Sequence, residues 1–381
     1  MKKGWEYKTI KEIGTVIGGT TPSTNNKEYW DGEHCWISPA ELDGSHYLYD
    51  SVRKVTDKAV KDKNLKLLPI GTVILSSRAP IGKVTINKIP TYCNQGFKCV
   101  ICGNRVYNEF LYWWFWGKTE YLNSIGKGAT FKEISKKVVE NIIIPVPPLS
   151  EQKEIVEYLD SSFAKIDKLK ENAAKNLEEA KALFQSALKD ALEPKKGWEE
   201  KTINDVVLFR NGIAHEKDID KGGNYIVINS KFVATEGTIR KYTNEQLSPL
   251  YTNEIVMVMS DVPKGKTLAK CYIIDCDNKY SLNQRICAFK SKGLDVKFLY
   301  YMLNRNPNLL KYDNGENQTN LRKNQILECP VTYPVQKNEQ QEIVDKLDSL
   351  KSKVDRLQKN FDKISMECDA LKQAILRQVF E

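Results

Sequence analysis

Residues 149–167 read LSEQKEIVEYLDSSFAKID, and residues 337–355 read KNEQQEIVDKLDSLKSKVD. An offset of 188 superimposes the two, so the chain carries an internal duplication that decides its architecture before any single motif does. Working outward, KKGWEYKTI from Lys2 returns as KKGWEEKTI from Lys195, and Asn94-Gln95 in YCNQGF returns as Asn283-Gln284 in SLNQRI. Pro80 in SSRAPIGK is answered by Pro263 in MSDVPKGK. The offsets drift between 183 and 193, as expected of one unit with small insertions and deletions. Each unit reads as a globular stretch of roughly 145 residues, near the commonest domain size, followed by a helix of roughly 44. This divides the chain into a first module (1–149), a central helical spacer (150–194), a second module (195–337) and a C-terminal helix (338–381) that pairs with the central one.

The helices are read from their period. From Ile343, the residues Leu347, Leu350, Val354, Leu357, Phe361, Ile364, Cys368, Leu371 and Ile375 follow alternating steps of four and three, the 3.5-residue repeat of a coiled-coil seam. The same register in the first copy selects Ile155, Leu159, Ser162, Ile166, Leu169, Ala173, Asn176, Ala180, Leu183 and Ala187, a thinner seam. Ser150 and Asn338 stand as N-caps after the proline-bearing segments IPVPPLS and TYPVQKN. The central helix leaves the first module and enters the second, so a C-terminal helix running back along it finds an apolar partner; pairing between two chains is the other arrangement the pattern allows. Inside the modules, GTVILSSRAPIGKVTI and NEIVMVMSDVPKGKTLAKCYII read as strand, turn and strand, while EFLYWWFWGK and KFLYYMLN read as short aromatic helices. The fold class is therefore α+β: two similar mixed α/β modules separated by two long antiparallel coiled-coil helices, with a pseudo-two-fold internal repeat.

Composition narrows the function classes. With 41% hydrophobic and 28% charged residues and no long apolar run, the sequence predicts a folded, non-membrane, cytoplasmic chain. The N-terminus lacks the apolar core of a signal peptide, and nine scattered cysteines favour reduced thiols. Cys93, Cys99 and Cys102 are close in sequence, yet FKCVICGN is an apolar run with no spaced histidine pair to complete four ligands, so no metal is expected. The net charge of +9 is unevenly placed: residues 151–193 carry −3 and residues 338–381 carry −1, which leaves +13 on the rest. Positive charge confined to two modules suits a pair of nucleic-acid readers, double-stranded DNA being the expected partner. Catalysis finds no support, because His34, His46 and His215 have no counterparts in the other repeat and no Gly-rich phosphate loop or nucleophile elbow occurs.

Candidate DNA contacts lie on the turns. Arg78 and Lys83 flank Pro80-Ile81-Gly82, and Lys264 and Lys266 flank Gly265. The polar loops GKGATFK and NGENQTNLRK add Lys127, Lys132, Gln318, Asn320 and Arg322. Such side chains reach groove edges or phosphates; the plain alternative for each is ordinary solvated surface. The aromatic run Trp113, Trp114, Phe115 and Trp116 reads as a buried packing face rather than a base-stacking platform.

The order of these motifs carries a resemblance. A GW-x-x-K-T-I opening, GGTTPS at 18–23, SSRAPIGK, CNQGF and then IPVPPLSEQKEIV with a long helix, all repeated once, resembles the specificity subunit of type I restriction-modification systems over essentially the whole chain. The resemblance implies that each module is a target recognition domain reading half of a bipartite DNA site. It adds Thr20 and Thr21 of GGTTPS to the candidate contacts. It also implies that the helices dock two modification (methyltransferase) subunits, with restriction (translocase/nuclease) subunits joining through the complex. No cofactor is expected in this chain, S-adenosylmethionine being expected in the partner modification subunit. The second module departs from the pattern, with Asn211-Gly212-Ile213-Ala214 in place of Gly18-Gly19-Thr20-Thr21 and Asp261 near the place of Arg78. A coiled-coil adaptor whose modules bind other proteins is the alternative reading.

Overall fold

The structure is a computed structural model and describes residues 4–78, 80–128, 132–215, 218–262 and 265–381. The chain divides into two units, one formed by residues 1–174 with 361–381 and the other by residues 175–360. Each unit holds one module and a segment of each of two 44-residue helices, Leu149–Leu192 and Lys337–Phe380.

In the first module the strand Glu6–Thr9 pairs antiparallel with Ile143–Val146, tying the two ends of the module together. Thr9 and Glu12 form a capping box that starts a one-turn helix and buries Ile10. The main sheet then runs in the order Gly14–Gly18, Phe97–Cys102, Val73–Ser76, Val84–Asn87 and Tyr47–Leu48. A smaller sheet joins Arg53–Val55, Trp30–Ile37 and Tyr92–Cys93, the last two in parallel.

The second module repeats this plan. Trp198–Thr202 pairs with Pro330–Pro334, and Thr202 with Asp205 forms the matching capping box. Its main sheet runs Val207–Asn211, Ile286–Ser291, Ile255–Val258 and Cys271–Ile273. Its smaller sheet joins Tyr242–Thr243, Tyr225–Ile228 and Tyr280–Leu282, the last two again in parallel. The central strands are apolar on both faces because both faces are covered: all four residues of Val73–Ser76 and of Ile255–Val258 are buried. The aromatic helix Asn108–Gly117 buries Trp113, Trp114 and Phe115 as core, as its sequence predicts, while Trp116 is only half-buried.

Within the first unit the two long helices run antiparallel: Lys170 reaches Asp369 at 3.3 Å, while Lys372 reaches Asp167 at 2.5 Å, so advance along one helix is retreat along the other. In the second unit Phe184, Leu188 and Ala191 share a core with Ile343, Val344 and Leu347. The expected seam needs one correction. Ile155, Leu159, Ile166, Leu347, Leu350, Val354, Leu357 and Phe361 are buried or half-buried, but Leu169 is 54% exposed, Leu183 is 62% exposed and, on the C-terminal helix, Leu371 is 50% exposed. The central helix turns inward Val156, Phe163, Leu177 and Phe184 instead, the other heptad phase through Leu159. The physical reason is apolar volume: this phase turns in Phe163 and Leu177 where the expected one would bury Ser162 and Asn176, adds the half-buried Phe184, and leaves only single leucines outside.

Candidate nucleic-acid interface

Two features of each module bear on function: the joint that fixes it to the helices, and the polar edge that its turns present. At the first joint the Gln152 side chain is fully buried. Its Oε1 accepts from the Tyr107 N–H at 2.8 Å, and its Nε2 donates to the Arg105 and Pro147 carbonyls at 2.9 and 2.7 Å. Gln340 repeats this, accepting from the Asp295 N–H and donating to the Pro334 carbonyl, each at 2.8 Å. The neighbouring glutamates are also used alike: Trp5 Nε1 donates to Glu151 at 2.8 Å and Trp198 Nε1 donates to Glu339 at 2.9 Å. About two turns further, Trp113 Nε1 donates to Asp160 at 2.9 Å and the Tyr301 hydroxyl donates to Asp348 at 2.6 Å. The repeated GW and EQ motifs are thus the two halves of one lock, a role that sequence reasoning missed although the repetition itself signals it.

The polar edge is built on a shared scaffold. Thr20 N–H donates to the Cys93 carbonyl and Ile213 N–H donates to the Leu282 carbonyl, at 2.9 and 3.0 Å. The preceding residue must be glycine in both modules: a Cβ on Gly19 would lie 2.0 Å from the Asn94 carbonyl oxygen, and one on Gly212 would lie 2.1 Å from that of Asn283. In the first module Asn94 Nδ2 donates to Thr21 Oγ1 at 2.7 Å, and Thr21 in turn meets Gln95, so Thr20, Thr21 and the exposed Gln95 stand together.

Arg78 belongs to the same edge, for its stem passes 3.7 Å from the Cβ position of Gly96. Its Nε donates to Glu133 Oε2 at 3.0 Å, and the backbones of Arg78 and Lys127 both bridge to Glu133. The other Glu133 oxygen accepts from Lys98 Nζ at 3.2 Å; Lys98 is only 7% exposed and also donates to Ser77 Oγ at 3.0 Å. Burial pushes the Glu133 carboxyl up, but hydrogen bonds from Lys98 and Arg78 outweigh it and hold the group below the usual carboxylate range. Lys98 and Glu133 escape a sequence reading; the one available signal is a lysine inside the apolar strand FKCVIC.

Lys127 and Lys132 are exposed on this edge, whereas Lys83, also exposed, sends its ammonium back to the Leu42 carbonyl. In the second module Gln318 Nε2 donates to Ser260 Oγ at 2.9 Å, and Ser260 pairs with Asn320 across a short ladder, so these predicted contacts adjoin. Lys266 and Arg322 are exposed, and Lys264 lies outside the described residues. The sheet registers also refine one correspondence. Leu75 pairs with Lys98 and Met257 pairs with Cys287, so the counterpart of Arg78 is Ser260, one residue before Asp261. Asp261 organises its own turn, accepting from the Val262, Thr267 and Leu268 N–H groups at 2.8, 2.6 and 3.1 Å.

Comparison with known proteins decides the family. The model of the type I restriction modification DNA specificity domain matches residues 2–179 and again 195–365. The chain belongs to that family. The specificity-domain duplication coincides with the repeat of sheets and joints described above. Similar curated proteins include the MjaIX specificity subunit of a type I restriction enzyme from Methanocaldococcus jannaschii, 40% identical over 230 residues, which are 55% of this chain and 53% of that one. The EcoR124I/EcoR124II specificity subunit from Escherichia coli is 32% identical over 180 residues, 45% of this chain and 44% of the relative. The match thus spans about half the length of these relatives. Among solved structures, a chain from a study of complex assembly and conformational transition of the type I R-M system superimposes with a TM-score of 0.79 at 19% identity, covering 100% of this chain and 98% of that one. The HsdS subunit from Thermoanaerobacter tengcongensis gives 0.59 at 18% identity, covering 100% and 97%. These confirm the fold of a specificity-domain pair with a coiled coil. Among the described residues, no helix is long and apolar enough to cross a membrane.

Proposed function

We propose that this chain is the DNA-specificity subunit of a type I restriction-modification complex, working in the cytoplasm. Each module reads one half of a bipartite duplex site, and the paired helices seat two modification subunits through which restriction subunits join. The observation that supports this most is the division of each module into a repeated joint and a diverged polar edge: common mounting with different reading surfaces is what two unlike half-sites require. The chain contributes no catalytic group of its own, and S-adenosylmethionine is bound by the partner modification subunit.

The test is selection of bound sequences from random duplex DNA by the chain assembled with its modification subunits. Two short half-sites at a fixed gap are expected, with affinity falling steeply as salt rises. Exchanging residues 1–149 for the matching module of a relative should change one half-site and leave the other. Binding that is indifferent to salt, or loss of both half-sites together, would overturn the reading. Methyl transfer to DNA by this chain alone would overturn its non-catalytic part.

A further inference from the structure

Arg78 is more than an exposed cation. Its Nε–H is given to Glu133 Oε2 at 3.0 Å, while the side chain stays 45% exposed. A guanidinium held through Nε is fixed in its plane and presents its two terminal NH2 groups forward, and among the described residues neither of these has a partner. Glu133 is itself held from behind by Lys98, whose ammonium is almost wholly buried and is tied further to Ser77 Oγ and, at 3.3 Å, to the Gln95 carbonyl. The sequence of supports therefore runs from a buried lysine through a carboxylate to an arginine tip.

Phosphate attraction does not call for such an arrangement. A mobile surface lysine or arginine neutralises a phosphate, and a carboxylate beside the cation weakens that attraction. An aimed fork suits a planar pair of acceptors. In the major groove one base offers two acceptors at that spacing, guanine through O6 and N7, and the bidentate arginine is its commonest reader.

We propose that Arg78 reads a guanine in the half-site of the first module, with Lys98 and Glu133 as the positioning residues that aim it; this rests on the proposed role of the module as a DNA reader. Among the described residues the second module lacks the device. Ser260, Asn320 and Cys287 occupy the places of Arg78, Glu133 and Lys98, and the cation of that edge, Arg285, replaces Gly96 with no ion-pair partner among the described residues. Its half-site is thus an internal control.

The experiment compares wild-type chain with Arg78→Ala, Glu133→Gln and Lys98→Met, each assembled with the modification subunits and each used to select from random duplex DNA. The wild-type first half-site should contain a fixed guanine. Arg78→Ala should lower affinity for the preferred site about 10- to 100-fold and erase discrimination at that one position, leaving the second half-site intact. Glu133→Gln and Lys98→Met should relax the same position without changing the salt slope, which a merely structural role would not do. Should Lys98→Met fail to fold, the exposed Arg78→Ala still decides the matter. The proposal is overturned if Arg78→Ala weakens all sequences equally and lowers the salt slope by about one, the mark of a phosphate contact, or if it changes nothing. A wild-type complex that selects a bipartite site with no guanine in the first half also overturns it while leaving the proposed function standing. Failure to select any site would overturn both.

Discussion

At its joint with the long helices the first module is held by Trp5, Trp113 and Gln152, and the second by Trp198, Tyr301 and Gln340, with equivalent helix residues accepting although a tryptophan N–H donates in one place and a tyrosine hydroxyl in the other. At the polar edge that correspondence ends: Arg78, Glu133 and Lys98 form a charged network in one module, and Ser260, Asn320 and Gln318 form a neutral one in the other. The difference teaches where sequence is constrained by folding. A buried glutamine with two or three backbone partners cannot be exchanged without stranding those groups. An exposed tip can be exchanged at little cost, so the edge is free to follow its ligand.

The comparison can be broken first at the joint's apolar packing, where the two joints differ most. Phe163 is buried edge-on to Trp113, with ring centroids 4.8 Å apart, while the residue 188 further on is Lys351, which pairs with Asp355 at 3.3 Å. Phe163→Ala should destabilise the first unit by about 3–5 kcal/mol, whereas Lys351→Ala should change the second by under about 0.5 kcal/mol. Six of the seven tryptophans lie in the first unit, so denaturation followed by tryptophan fluorescence reports it almost alone, and calorimetry reports both. Equal losses would mean that the two joints do not differ as their packing indicates.

The glutamine lock sharpens the likeness instead. Gln152→Ala and Gln340→Ala should each cost about 2–3 kcal/mol, the first somewhat more because it strands three backbone groups rather than two. Denaturant titration of each variant checks this, and an effect in one module only would show that the repeated motif is not a repeated lock.

A smaller effect separates the edges by pH. Glu133 titrates below its ordinary value of 4.5 in the folded chain, so the stability it adds is present above that value and fades as pH falls through the lowered one. Fluorescence-monitored stability of wild type should therefore exceed that of Glu133→Gln at neutral pH, and the two should converge only as pH falls below the lowered value. Asn320→Asp, at the corresponding place on the other edge, supplies the contrast, since among the described residues Cys287 stands there in the place of the buried lysine. The smallest expected effect concerns helix phase: Leu169→Ala should cost less than about 0.5 kcal/mol, because the side chain is already 54% exposed. A loss of 2 kcal/mol or more, the order seen for buried leucines, would restore the seam that the sequence period suggests.

The amino-acid sequence by itself determined the duplication, the α+β class, the two long helices and the aromatic core of the first module. These are readable because they are local: an offset of 188 and a 3.5-residue period are properties of the string, and a run such as Trp113–Trp114–Phe115 is too apolar to leave outside. Only the tertiary structure decided which of two heptad phases turns inward, since both satisfy the period and the choice is made by the apolar volume that the neighbouring module and helix cover. It also decided which cations serve the surface. Lys98 and Arg78 look alike in sequence, yet strand pairing buries the first and exposes the second, and their shared partner Glu133 stands 55 residues beyond Arg78. Side-chain roles set by pairing across such distances have no local signature, because nothing in the nearby residues fixes which strand will lie alongside.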